Sequence, residues 1–154
     1  MEAKKIYLDY AATTPVYPEV VESMIQCLGP DGDYANSSSS HFFGKSAKVH
    51  IDTARAQIAA RIGAEADSIC FTSGATESDN MALMGTMYAN QHRGRHLITS
   101  TLEHKAVLDT AHALKDQGFE VTFVDHDANG VISAQQLETA IRDDTILVSI
   151  MHAN

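Results

Sequence analysis

Apolar residues recur with two different periods along this 154-residue chain, and the changes of period locate its elements. Val20, Val21, Met24, Ile25 and Leu28 fall at helical spacing behind Pro18, which suits a first helical turn, and Gly29-Pro30-Asp31-Gly32-Asp33 ends that run. Ala47, Ile51, Ala54, Ile58 and Ile62 mark the buried face of a longer helix from about Lys45 to Ile62, stopped by Gly63. Met81, Met84, Met87 and Tyr88 line one face of a third helix, from about Thr76 to Gln91. A fourth, Lys105 to Gln117, turns Val107, Leu108, Ala111 and Leu114 inward, with Gly118 as its stop. Ser133-Ala134-Gln135-Gln136 is a capping box that opens a fifth helix carrying Leu137, Ala140 and Ile141. Strand signals fall at Ile6-Tyr7-Leu8, Ile69 to Thr72, His96 to Ser100, and the alternating Phe119, Val121 and Phe123. Thr145 to Ile150 is apolar enough to predict a strand inside a sheet covered on both faces.

Alternation of strand and helix predicts an α/β fold, a mainly parallel sheet with flanking helices and right-handed crossovers. The length fits one domain with a real core, divided into a helical arm (about 1–62) and an α/β portion (about 63–154). Open sheets of this kind bind ligands beyond the carboxyl ends of their strands. Ser73-Gly74-Ala75-Thr76, Glu103-His104 and His152-Ala153-Asn154 each follow a strand directly, so three polar clusters are expected on one rim. Tyr34 to His41, with four consecutive serines, reads as a loop: either a connector or a site that holds its hydroxyls in place.

Composition narrows the function classes. A net charge of -9 argues against nucleic acid and against an anionic membrane surface. No apolar run approaches the roughly 20 residues of a spanning helix. The N-terminus leads straight into a strand-like run without a signal peptide's apolar region, which points to the cytoplasm. Cys27 and Cys70 give neither a disulfide framework nor metal spacing, and Cys70 is expected to be a small apolar filler inside a strand. Asp125 to Ser133 matches the first nine positions of a calcium loop, but Gln136 stands where a bidentate carboxylate is needed. The segment reads as an Asx-rich turn before a capped helix, and no metal site is expected.

The stretch from Ile69 to Asn80 carries the candidate chemistry. A strand that passes through Ser73-Gly74-Ala75-Thr76 into a helix presents the first N–H groups of that helix, which with its dipole favour phosphate. Thr76 and Asp79 also fit a plain N-cap pattern, so spacing alone leaves both open.

Leu8-Asp9-Tyr10-Ala11-Ala12-Thr13-Thr14-Pro15, Phe71 to Asn80, Glu103-His104-Lys105-Ala106-Val107 and Met151-His152-Ala153-Asn154 together resemble the IscS/NifS-type cysteine desulfurases. These are pyridoxal-phosphate enzymes of the class-V aminotransferase group, and the likeness runs along essentially the whole chain. The resemblance implies the N-terminal part of a PLP-dependent transferase large domain. It implies that Gly74, Ala75 and Thr76 cradle the phosphate of pyridoxal 5′-phosphate, with Asn154 also on the cofactor side. His104 would stack on the pyridine ring and take part in proton transfer, which suits a flat side chain that titrates near neutrality. Asp9 to Pro15 and the loop from Asn36 to Gly44 would shape the substrate side, with Ser37 where the family usually has proline. Lys105 is not the family's cofactor lysine. The reaction implied takes sulfur from L-cysteine, leaves L-alanine, and passes a persulfide to acceptor or scaffold proteins for iron–sulfur cluster assembly or tRNA thiolation, in a homodimer.

The family's Schiff-base lysine, pyridine-facing aspartate, substrate-carboxylate arginine and mobile-loop cysteine all fall beyond Asn154, where this chain stops inside a His-x-Asn-Asn-Glu motif. Cys27 and Cys70 replace none of them. The chain alone is therefore expected not to desulfurate cysteine. A selenocysteine lyase or another class-V enzyme, and a non-catalytic fragment or split-enzyme subunit, are the alternatives.

Overall fold

The computed structural model describes residues 5–153. They form two compact units that part between Cys70 and Phe71. In the first unit, α1 spans Pro18–Gln26 and starts on its proline, as its sequence predicts. Its apolar stripe, however, is exposed along its whole length, Val20 to Leu28. Helix α2, Phe42–Ile62, starts ahead of the expected Lys45 because His41 Nδ1 accepts the Gly44 N–H as an N-cap. Gly63 closes it in the left-handed region. Its expected inward face is also corrected: Ala47 is buried with Gly44 and Ala59, but Ile51, Ile58 and Ile62 are exposed. A period shows which side of a helix is apolar and says nothing of whether a partner covers it. Asp33 ties the inter-helix loop to α2, accepting from Ser46 Oγ at 2.5 Å and meeting His50 Nε2 at 2.7 Å.

Two expected strands, Ile6 to Leu8 and Ile69 to Thr72, do not form. At Ile6 to Leu8 the chain leads into a turn instead, with the Tyr7 hydroxyl 2.7 Å from Asp9 O and 3.2 Å from Thr13 O. Past a short 3-10 helix, Ala66–Ser68, Ile69 is extended but its carbonyl accepts the Arg55 guanidinium. Cys70, expected inside a strand, is exposed.

The second unit holds the sheet. Helix α3 (Ala75–Asn90), β1 (His96–Ser100), α4 (Lys105–Asp116), β2 (Glu120–Val124), α5 (Ala134–Ala140) and β3 (Thr145–Val148) follow in order. The strands are parallel in the order β2-β1-β3, so the α/β architecture stands as expected. Strand β1 is central and buried at all five positions. Strand β3 is an edge, half-buried and exposed at Val148, rather than a strand covered on both faces. Its register against β1 slips by one residue between His96 and Leu97. Backbones approach closely there: a Cβ on Gly94 would lie 2.2 Å from Asp144 O, so only glycine fits.

Leu83 and Met87 of α3, Leu97 of β1, Val107, Ala111 and Leu114 of α4, and Phe119 form one core cluster. In α3 the inward line is Leu83 and Met87 with Met84 at its edge, whereas Met81 and Tyr88 are exposed. The face of α4 is as its sequence predicts, with Leu108 only half-buried. Both bonds of the Ser133–Gln136 capping box are present at the start of α5. No helix among the described residues is long and apolar enough to cross a membrane.

Candidate functional site

Three helix and strand ends build the site, and the turn before α3 comes first. Gly74 is its N-cap residue, at φ 159° and ψ −177°, and no side chain caps the helix. The N–H groups of the first turn therefore have no acceptor within α3. Residues one turn further on brace the approach instead. Glu77 Oε2 accepts from Ser73 N at 2.7 Å and from Ser73 Oγ at 2.6 Å, and the Thr72 and Ser78 hydroxyls meet at 2.7 Å. The Ser73 hydroxyl, and then its N–H, hold the Glu77 carboxyl below the usual carboxylate range, so it is ionised at neutral pH. Its reach-back resembles a capping box displaced by one residue: it ends on the residue before the N-cap. Gly74, Ala75 and Thr76 are all exposed at this turn.

His104 is the N-cap of α4, where its Nδ1 accepts the Ala106 N–H at 3.1 Å. Nδ1 is thus an acceptor, a proton on the neutral ring sits at Nε2, and the imidazole is exposed. Asn80 and Thr110 show that both helix starts lie at one end of the unit. Thr110 Oγ1 is 2.8 Å from Asn80 Oδ1, joining the second turn of α3 to the second turn of α4.

The third cluster is tied in by Glu103. Its buried carboxylate accepts from Ser100 Oγ at 2.9 Å, at the end of β1, and from Met151 N at 2.8 Å, just past β3. His152 and Ala153 follow that anchor; Asn154 lies outside the described residues. A cavity of about 420 Å³ opens beyond the strand ends, lined by Leu102, Gly130 to Ile132 and Ile150 to Ala153. His152 is in its wall; Thr76 and His104 are not.

Asp127, in the calcium-like stretch, spends Oδ1 on the N–H groups of Asn129 and Val131, at 2.8 and 2.9 Å. Those bonds, the one to Val131 first, hold its carboxyl below the ordinary range, and the segment is the Asx turn expected of it.

Glu77, Asn80 and Thr110 have no assigned role in the sequence. Glu77 carried a faint local signal, an acid four residues past a serine. Asn80 and Thr110 carried none, being 30 residues apart and meeting only through the packing of two helices.

The donor set suits a phosphorylated aromatic ligand: an uncapped glycine turn for the phosphate and a flat, edge-held imidazole for the ring. A family model described as aminotransferase class-V matches residues 6–154. A cysteine desulfurase IscS from Enterobacter sp. (strain 638) is 56% identical over 150 residues, which is 97% of this chain and 37% of that protein. One from Serratia proteamaculans (strain 568) is 57% identical over the same share. The chain thus spans little more than a third of the length of these curated relatives. Among solved structures, a NifS-like protein superposes with a TM-score of 0.87 at 41% identity, covering 93% of this chain and 39% of its own. The structure titled "SspA in complex with cysteine" superposes at 0.89 and 44% identity, covering 96% of this chain and 42% of its own.

Proposed function

Because the chain belongs to the class-V aminotransferase family, we propose that it is the cofactor-cradling portion of a pyridoxal-phosphate-dependent cysteine desulfurase. One observation carries the assignment: the uncapped turn at Thr76 and the imidazole of His104 belong to the starts of two helices that meet near those starts, at Asn80 and Thr110. In that role the backbone N–H groups of Gly74 and Ala75 and the N–H and hydroxyl of Thr76 hold the phosphate. His104, its imidazole oriented by the Ala106 N–H, would stack on the pyridine ring and would hold a proton at Nε2 available for transfer. Asn154, which lies outside the described residues, is assigned to the cofactor side from the family resemblance alone. When bound, pyridoxal 5′-phosphate supplies the electron sink for bond cleavage in the substrate.

L-cysteine is the proposed substrate, supported by the cysteine complex of the SspA structure and by the relatives' naming as cysteine desulfurases. Sulfur passed to acceptor or scaffold proteins for iron–sulfur cluster assembly or tRNA thiolation, a homodimeric whole protein and a cytoplasmic location complete the proposal. These 154 residues are assigned the holding of the cofactor, not the transfer of sulfur: Cys27 is the half-buried C-cap of α1 and Cys70 precedes the turn, and neither stands where the resemblance puts the sulfur-accepting cysteine.

Titration of the chain with pyridoxal 5′-phosphate, followed by cofactor fluorescence, tests the assignment. Binding is expected, weakened about tenfold or more in Thr76→Val, the size of one hydrogen bond to a charged group. In parallel, no alanine is expected from L-cysteine and added cofactor. Absence of binding sinks the cradle, and alanine release by this chain sinks the division of labour.

A further inference from the structure

We propose that Asn80 and Thr110 form a positioning brace that sets the separation between the phosphate turn at Thr76 and the imidazole of His104; this rests on the cofactor assignment above. A chain of close polar contacts runs between the two, with the single Thr110 hydroxyl proton shared at its middle. Asn80 Nδ2 donates to Thr76 O at 2.7 Å, and Asn80 Oδ1 lies 2.8 Å from Thr110 Oγ1. Thr110 Oγ1 is also 2.7 Å from Ala106 O, and the N–H of that same Ala106 donates to His104 Nδ1. Each link spans at most one helical turn except the Asn80–Thr110 contact, which crosses between helices.

Two features make this more than incidental polarity. Thr110 is 3% exposed, and the single proton of its hydroxyl would be satisfied by Ala106 O alone, the ordinary back-bond of a threonine in a helix. Asn80 Oδ1 competes for that one proton at 2.8 Å, so the hydroxyl is shared between a local and an inter-helix acceptor. Leu83 and Met87 of α3 share the apolar core cluster with Val107, Ala111 and Leu114 of α4. Apolar packing of this kind fixes how close two helices come, but it is non-directional and resists axial sliding weakly. A hydrogen bond at the site end, limited to a few tenths of an ångström and tens of degrees, fixes the slide. A ligand whose phosphate and ring are joined by a short covalent link needs its two anchors at one separation. Inorganic phosphate needs only the turn.

That difference supplies the test. In Thr110→Val the affinity of the chain for pyridoxal 5′-phosphate is expected to fall about tenfold, the free energy of one directional contact, while its affinity for inorganic phosphate stays within about twofold. Thr110→Ser, which keeps the hydroxyl, is expected to restore the first value. Asn80→Ala should reproduce the valine pattern and stands in if the valine variant does not fold by circular dichroism. Unchanged cofactor affinity in Thr110→Val, or equal losses for cofactor and inorganic phosphate, overturns the brace. A parent chain that binds neither ligand overturns the cofactor assignment itself. The brace is then judged on the His104 Cε1–H resonance of the ligand-free chain, which should move in the valine variant and return in the serine variant. No movement overturns it.

Discussion

At Gly74 the backbone stands at φ 159°, yet a Cβ there would meet no atom within 4 Å. The constraint is therefore conformational and not steric, since side-chain-bearing residues avoid this region at a cost of about 1–3 kcal/mol. An alanine would be accommodated by rotating the turn, which re-aims the N–H groups of Ala75 and Thr76. Gly74→Ala is thus expected to keep the fold of its unit by circular dichroism while weakening pyridoxal 5′-phosphate binding about tenfold. Equal affinity would show that the turn is not the cradle. Residues of this local kind were legible in the sequence. Ser73 to Thr76 and His104 stand next to elements whose ends are announced by composition, so chain order alone places them. Asn80 and Thr110 were not legible, because the bond between them exists only once α3 and α4 have packed.

Among elements, the central strand carries an imidazole in an unusual setting. His96 is fully buried and meets Thr145 Oγ1 on β3 and Thr122 Oγ1 on β2, each at 2.8 Å, so one side chain spans all three strands. Burial pushes its pKa below the ordinary value and nearby Arg142 adds to this, against a weaker pull from Asp144 and Glu120. Folded His96 then binds its proton less tightly than unfolded His96 does. Stability is complete above the unfolded value of about 6.5 and falls as pH drops through the lower folded value. Urea midpoints measured from pH 7.5 to 5 are expected to decline on the acid side, and to decline less in His96→Gln. Parallel slopes would remove His96 as the cause. Elements with a strong local signature, the capping box of α5 and the inward face of α4, appear as their sequences predict. Ile6 to Leu8 and Ile69 to Thr72 have β-prone residues but no place in the sheet, because a strand is completed by a neighbour and not by composition.

The two units of the molecule differ in how much they bury. From residue 5 to 70 only Gly44, Ala47 and Ala59 are buried, while every member of the core cluster lies between Leu83 and Phe119. Local opening costs little where few apolar contacts must be broken. Hydrogen exchange is accordingly expected to be slowest in β1 and the inner turns of α4, and fast throughout α1 and the outer face of α2. Protection of α1 equal to that of β1 would mean that its apolar stripe is covered in solution.

Periodicity, capping residues and the order of motifs determined the α/β class, five helices and the places of the turn and the histidine proposed to hold a cofactor, because each is written in short stretches of neighbouring residues. Which strand is central, which apolar faces are covered, and how Thr76 is spaced from His104 were decided by tertiary structure. Those are relations between residues tens of positions apart, and a period along one element holds no information about what packs on its other side.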